Sequence, residues 1–422
     1  MVELQYAALP LYTPSEPLPK YSCQPSCNEN TLQHSPLRAR TIPTGTYTRR
    51  SGKITVTLFE QEDGVDMPVY HRCNHISGLL LIECPEKVTR VTMKIQGKLK
   101  TITSQTGSKS IQLINVFHTL WRKGESEELS SCFPFSYLLP NTFIHEGAEH
   151  PLPPTFRIDQ TSTPFLRVLY SINICVSSTR HNMEFLTKSD NVKIFFKYYP
   201  RSRPHRPILP SPHFFSTVKT SPEEWYQASS ALKTRKLKPD FGPIYCHLFI
   251  PSARVYGLAD RIPFHVQLNG PLDALQQFLM PQLVNVSMPS TMQNPHGTCP
   301  QRIKPLVVVS LVRQSKTETR GSKFQKNQTI GQGEVQELPP LICESRDAIH
   351  LDWGGEIQVN EDVEVGGFVA GNISVRDFIS LVLEPPAAND QACPYLCLRM
   401  SVPIRLVTDS YVEVIDYEPP LE

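Results

Sequence analysis

From Leu166 to Val176 every second residue is apolar: Leu166, Val168, Tyr170, Ile172, Ile174 and Val176, with Arg167, Ser171, Asn173 and Ser177 in the other phase. A side-chain period of two places one row on a core and the other toward solvent, which is the geometry of a strand and not of a helix. The same alternation runs through Ile54, Val56 and Leu58, then Val91, Met93 and Ile95. It returns late in the chain at Ile262, Phe264, Val266 and Leu268, and over Leu396, Leu398, Met400, Val402, Ile404 and Leu406. Pro403 inside that last run has no amide hydrogen, so the strand is expected at an edge or with a bulge. Gly78-Leu79-Leu80-Leu81-Ile82 is continuously apolar and fits a strand buried on both sides, a pattern that a buried helix segment would share. Short strands without long helices between them predict antiparallel sheets packed as sandwiches.

With 422 residues the chain exceeds what one core of roughly 250–300 residues holds, so two domains are expected. The 39 prolines against 20 glycines disfavour long helices. A net charge of +2 gives no general case for nucleic-acid binding. The first residues, MVELQYAALPLYTPSEPLPKY, lack a basic start followed by an apolar core, so no secretory leader is expected. No segment reaches the roughly 18 apolar residues of a membrane span. The expected place is therefore the cytoplasm, with the 11 cysteines as thiols and the sequons at Asn285, Asn327 and Asn372 as chance matches.

Residues 1–45 are rich in Pro, Ser and Thr without apolar periodicity and read as a flexible tail. A second interruption covers residues 200–243. Its first part, PRSRPHRPILPSPH, has five prolines. Ser221-Pro222-Glu223-Glu224 then resembles a helix start, with Ser at N-cap, Pro at N1 and Glu at N3. Trp225, Ala228 and Leu232 follow at helical spacing, predicting a helix over about 222–236. A single turn or two is expected within Leu272 to Leu279, and the polar stretch Gln314 to Gln332 reads as an exposed loop. The resulting organisation is a tail (1–45), a β-domain (46–200), a linker with one short helix (201–240), a second β-domain (241–412) and a short tail (413–422).

The order of several local strings narrows the class. Ile76-Ser77-Gly78-Leu79 precedes Phe133-Pro134-Phe135-Ser136-Tyr137-Leu138-Leu139-Pro140, then Leu152-Pro153-Pro154-Thr155-Phe156, then the strand with Tyr170-Ser171-Ile172. This order resembles the N-domain of arrestins. Val255-Tyr256-Gly257-Leu258-Ala259-Asp260-Arg261-Ile262-Pro263-Phe264 looks like the opening hairpin of an arrestin C-domain, and Val402-Pro403-Ile404-Arg405-Leu406 like its closing strand. The resemblance covers about residues 50–410 and is nearest in style to fungal α-arrestins. It implies an all-β chain of two tandem arrestin-like, immunoglobulin-like β-sandwich domains. It also implies a cytoplasmic adaptor, without cofactor or catalysis, that links cytoplasmic tails of membrane proteins to a WW-domain, HECT-type ubiquitin ligase for endocytosis. Such an adaptor is recruited peripherally to the plasma membrane or endosomes.

Two strings fit that reading. Leu9-Pro10-Leu11-Tyr12 and Leu18-Pro19-Lys20-Tyr21 match the LPxY variant of the motif that WW domains read. Proline presets an extended backbone, and an aromatic groove takes the Pro and the Tyr. Family members often carry PPxY after the C-domain; here the chain ends Glu418-Pro419-Pro420-Leu421-Glu422 without the tyrosine. The bland alternative is a low-complexity tail and an arrestin-fold coat or structural subunit that recruits no ligase. A basic run, Lys193, Lys197, Arg201, Arg203, His205 and Arg206, lies beside Phe195, Phe196, Tyr198 and Tyr199. It reads as contact with an anionic lipid surface or an acidic tail, against a solvated linker as the commoner meaning of such a run.

Enzyme motifs fail on spacing. His145 and His150 lie five apart, so they do not share a helix face as in a zinc protease, and Gly147 and Pro151 indicate a loop. Cys23/Cys27 and Cys393/Cys397 have zinc-compatible spacing but read as unpaired thiols. Gly331-Gln332-Gly333 lacks the third glycine of a dinucleotide loop.

Overall fold

A computed structural model describes residues 43–103, 107–124, 130–160, 163–180, 183–208, 214–234, 242–276, 278, 306–319, 322–338, 350–385 and 394–411. The first half contains β1 (Gly45–Ser51), β2 (Ile54–Gln61), β3 (Val69–Tyr70), β4 (His75–Ile82), β5 (Val88–Thr103), β6 (Gly107–Arg122), β7 (Cys132–Leu138), β8 (Thr142–His145), β9 (Ala148–Pro151), β10 (Phe156–Gln160), β11 (Thr163–Arg180) and β12 (Met183–Tyr198). Helix α1 (Phe214–Thr220) follows, then β13 (Trp225–Ala231), β14 (Tyr245–Pro251), β15 (Val255–Gly257), β16 (Ile262–Asn269), β17 (Val307–Thr319), β18 (Ser322–Leu338), β19 (His350–Ile357), β20 (Phe368–Ala370), β21 (Ile373–Leu383) and β22 (Leu398–Val407). The protein is all-β, with curled sheets stacked in sandwich fashion.

In the first half a four-stranded sheet, β1-β2-β4-β7, faces a larger one ordered β3-β12-β11-β5-β6, to which β10 adds beside β11. The alternation explains the pairing of faces. Leu166, Val168, Tyr170, Ile172, Ile174 and Val176 are all buried and meet Ile54, Val56, Leu58, Ile76 and Leu80 of the opposing sheet. Truncating one such residue, for instance Ile172→Ala, should cost roughly 2–5 kcal/mol. In the second half one sheet runs β13-β14-β16-β19-β18-β17-β21-β22-β15 and curls around its own core of Ile262, Phe264, Val266, Val309, Leu311, Ile379 and Leu381. Val365, Ala370, Ile373 and Val375 of the second half belong instead to the first core. The described residues from Thr44 onward pack as one unit.

Pro403 sits where β22 has β21 on one side, while the short parallel strand β15 reaches only Arg405–Val407 on the other. The expected turn of helix is present at 272–276. Leu396 is exposed, so the buried alternation of β22 starts with Met400.

Four expectations are corrected. The helix over 222–236 is absent. Only Pro222–Glu224 forms a 3-10 turn, Ser221 gives it no side-chain cap, and the helix lies upstream at α1. Trp225–Ala231 is a strand because β14 offers a free edge along its whole length, and pairing there outweighs local helix signals. Gln314 to Gln332 is no loop but most of the β17–β18 hairpin. Its inward face carries Arg313, Ser315 and Thr317, all buried, so polarity there does not mean exposure. The strand at Gly78–Ile82 is buried on one face only, with Leu81 exposed. Finally, His145 and His150 lie on the two arms of the β8–β9 hairpin, whose turn uses the left-handed residues Glu146 and Gly147. Gly331 and Gly333 are strand residues of β18.

Candidate interaction surfaces

The basic run at the end of β12 is divided by alternation. Phe196 and Tyr198 point into the first core, which turns Lys193, Phe195 and Lys197 to the other face. Tyr198 is tied down by Thr155, which receives a hydrogen bond from its amide at 2.8 Å and donates its own amide to the Tyr198 carbonyl at 2.9 Å. The string Leu152-Pro153-Pro154-Thr155-Phe156 is thereby fixed beside β12, and the Tyr170 hydroxyl donates to the Pro153 carbonyl at 2.6 Å.

Beyond Tyr198 the chain meets the second half. Lys197 Nζ lies 2.9 Å from Glu364 Oε1, and the Tyr199 hydroxyl donates to Glu364 Oε2. Burial alone pushes the Glu364 carboxyl up, but hydrogen bonds from Lys197 and Tyr199, with the Lys197 charge, outweigh it and hold the group below its usual value. The Tyr199 hydroxyl is raised, first by burial and then by bonding to that carboxylate. Arg201 grips Asp409 with both arms of its guanidinium, Nε at 3.1 Å from Oδ2 and Nη2 at 2.9 Å from Oδ1. Planar, two-point pairing of this kind is the strong form of an arginine–carboxylate contact. Next to it the Ser202 amide donates to Thr408 Oγ1 at 2.8 Å.

These contacts border a cavity of about 390 Å³ between the halves. Pro153, Pro154 and Arg72 line it from the first half, and Phe368, Arg376 and Arg405 from the second. Phe156 packs edge-on to Phe368 at 5.2 Å between ring centres. Asp377 closes the floor but is already bonded to buried Arg313. Three arginines around a lining whose one carboxylate is neutralised make this cleft suited to an anionic group. Its lining offers no thiol, histidine or lysine for nucleophilic or general acid–base work.

The anticipated contact residues therefore part company. Lys197 and Arg201 are used inside the protein, across the seam. Lys193 is exposed, with its ammonium 4.8 Å from the Phe195 ring centre. Arg203, His205 and Arg206 are exposed, and Arg203 has an interaction of its own. Leu9, Pro10, Tyr12, Leu18, Pro19 and Tyr21 lie outside the described residues, as do Cys23, Cys27 and Cys393. Sequence reasoning missed Glu364, Asp409, Arg72, Arg376 and Arg405, whose role depends on chain segments far apart in sequence.

Among the described residues no group of three or more His, Cys, Asp or Glu side chains could hold a metal ion. None of the described helices is long and apolar enough to cross a membrane. No family model matches the chain, and no curated protein matches it either.

Proposed function

We propose that the protein is an adaptor that recruits a WW-domain ubiquitin ligase to membrane-protein cargo for ubiquitination and endocytosis, working in the cytoplasm with peripheral recruitment to plasma membrane or endosomes. The observation that carries the reading is the pair of LPxY strings, Leu9 to Tyr12 and Leu18 to Tyr21, placed before the first strand at Gly45. The arrestin-like order of strings supports it, as do an all-β body and the arginine-lined cleft, which would suit an acidic cytoplasmic tail. Two weak sites on one tether gain avidity with a ligase that carries several WW domains, typically by about 10²–10⁴ when both engage.

The test is a pull-down of the full chain with purified tandem WW domains. Tyr12→Ala or Tyr21→Ala alone should weaken binding, and the double variant should nearly abolish it. Equal binding of wild type and double variant, or none by either, would reject the mechanism. The second reading, an arrestin-fold coat or structural subunit that recruits no ligase, would then lead.

A further inference from the structure

The outward face of the sheet β12-β11-β5-β6 carries a field of positive charge that no single stretch of sequence displays. Register sets the rows. Phe195, Ser171, Gln96 and Asn115 lie side by side across the four strands; Lys193, Asn173, Lys94 and Phe117 form the next row. Asn191, Cys175, Thr92 and Thr119 follow, then Ser189, Ser177 and Arg90. Toward the other end Leu169 pairs with Lys98, and Arg167 with Lys100. Arg90, Lys94, Lys98, Lys100, Arg167 and Lys193 thus share one face, and no Asp or Glu occupies any of these positions. Among the described residues no carboxylate is within ion-pair distance of Lys94, Lys98, Lys100 or Lys193, in contrast to Lys197 and Arg201 at the seam.

Two aromatic rings stand out of this field. Phe117 on β6 is 57% exposed and Phe195 on β12 is 43% exposed. Each has a cation over it, Arg90 at 5.8 Å and Lys193 at 4.8 Å. Large rings left in water on the two flanking strands of a sheet, each with one cation over it, do not serve the core.

We propose that this face docks on an anionic phospholipid bilayer, with Phe117 and Phe195 entering the headgroup region and the lysines meeting lipid phosphates and carboxylates. Shape favours a lipid plane over an acidic peptide. The cations span three strands, about 10 Å across at roughly 4.8 Å per step, and ten residue steps of β5, about 33 Å along; the two rings widen the face to a fourth strand, β6. A peptide lying along β5 would meet the four cations of that strand, but would leave Lys193 on β12 and the exposed rings of Phe117 and Phe195 on the two flanking strands without a partner, whereas a lipid plane meets all of them. Apolar rings between cations are the side-chain set of interfacial binding, where burial of apolar area adds to attraction by anionic lipid. The inference stands apart from the ligase reading, since it uses no residue of the N-terminal segment.

The experiment is sedimentation of the full chain with phosphatidylcholine vesicles, with and without phosphatidylserine. Wild type should bind only the anionic vesicles, more weakly as salt rises, because exposed charges are screened over about 8 Å at physiological ionic strength. Each lysine neutralised should weaken partitioning roughly fivefold, so the quadruple Lys94→Gln/Lys98→Gln/Lys100→Gln/Lys193→Gln variant should lose binding by a hundredfold or more, on the order of the product. A control with the same charge change elsewhere, Lys53→Gln/Lys219→Gln/Arg261→Gln/Lys323→Gln, should keep most of it. Phe117→Trp gives a reading that does not depend on the quadruple variant folding: its emission should shift to the blue on phosphatidylserine vesicles and be quenched by bromine-labelled acyl chains. Failure of wild type to bind, equal loss in both quadruple variants, or an unmoved Trp emission would overturn the proposal. So would binding to polyglutamate through this face without binding to vesicles, which would assign it to an acidic peptide.

Discussion

Arg313 and Asp377 sit directly opposite each other on β17 and β21 and form a two-point ion pair, Nε to Oδ1 at 2.7 Å and Nη2 to Oδ2 at 3.1 Å, with both side chains buried. The guanidinium also donates to the Val365 carbonyl at 2.8 Å and lies 5.8 Å from the centre of the Phe156 ring. One pair thus ties β17, β21, the segment before β20 and a ring from the first half. Removing one partner leaves an uncompensated charge out of water, whereas replacing both with apolar groups does not.

Asp377→Ala should therefore cost about 3–5 kcal/mol, and Arg313→Met/Asp377→Leu much less. Urea unfolding midpoints of the three proteins check this. A double variant as unstable as the single one would show that the pair itself, and not the orphaned charge, holds the region.

Glu364 gives a pH dependence with a defined sign. Its carboxyl is held below the ordinary value of about 4.3, so the folded state binds that proton more weakly than the unfolded state. The stability it contributes is complete above the ordinary value and is lost as pH falls through the depressed one. In Lys197→Met, burial is left with less opposition and the carboxyl should titrate at higher pH. Carbon-13 titration of labelled glutamate side chains in wild type and Lys197→Met measures the shift.

The buried thiol of Cys246 is pushed up to about 12 by desolvation, whereas Cys73 and Cys397 are exposed. Thiolate is the reactive form, so a maleimide at neutral pH should label Cys73 and Cys397 in the folded protein and spare Cys246 until denaturant is added. Peptide mass mapping reads the order. Early labelling of Cys246 would contradict its place in the second core.

Gly78 lies on β4 between the Thr57 carbonyl and the Phe135 ring, and a β-carbon there would overlap the carbonyl. Gly78→Ala should separate β2 from β4 locally and lower stability by roughly 1–3 kcal/mol, the usual range for overpacking. Thermal melting of the variant tests it, with Gly354→Ala, whose β-carbon would meet nothing nearer than the Leu338 side chain at 3.3 Å, as the contrast.

Strands whose inward face is apolar were legible from alternation, as in β2, β5, β11 and β16. Those with a polar inward face were not: Arg313, Ser315 and Thr317 make β17 look like a surface segment, although its other half, Val307 to Leu311, is purely apolar on the core side. At β13 the sequence carries a true local turn, Pro222–Glu224, followed by a strand whose core-side residues Tyr226 and Ala228 are too few and too mild to show a period. The seam was illegible for a different reason. Lys197 and Glu364 are 167 residues apart and Arg201 and Asp409 are 208, and charge pairs at such separation leave no pattern in either neighbourhood. The basic sheet face lay in between. Arg90, Lys94, Lys98 and Lys100 are in phase with one another and out of phase with Val91, Met93 and Ile95, but Lys193 joins them only through the register of β12 on β11 and β11 on β5.

The clasp of Arg201 on Asp409, with Ser202 bonded to Thr408, brings the start and finish of residues 203–407 side by side. Mechanically this is a shunt. Tension applied between Gly45 and Tyr411 would cross the first sandwich, pass through the clasp and leave, so the whole second core would carry no load. In an optical trap the clasp should yield first, without gain in length from the second core. Only then would its strands feel the pull and come apart as a separate event, releasing roughly 3.3–3.6 Å per residue.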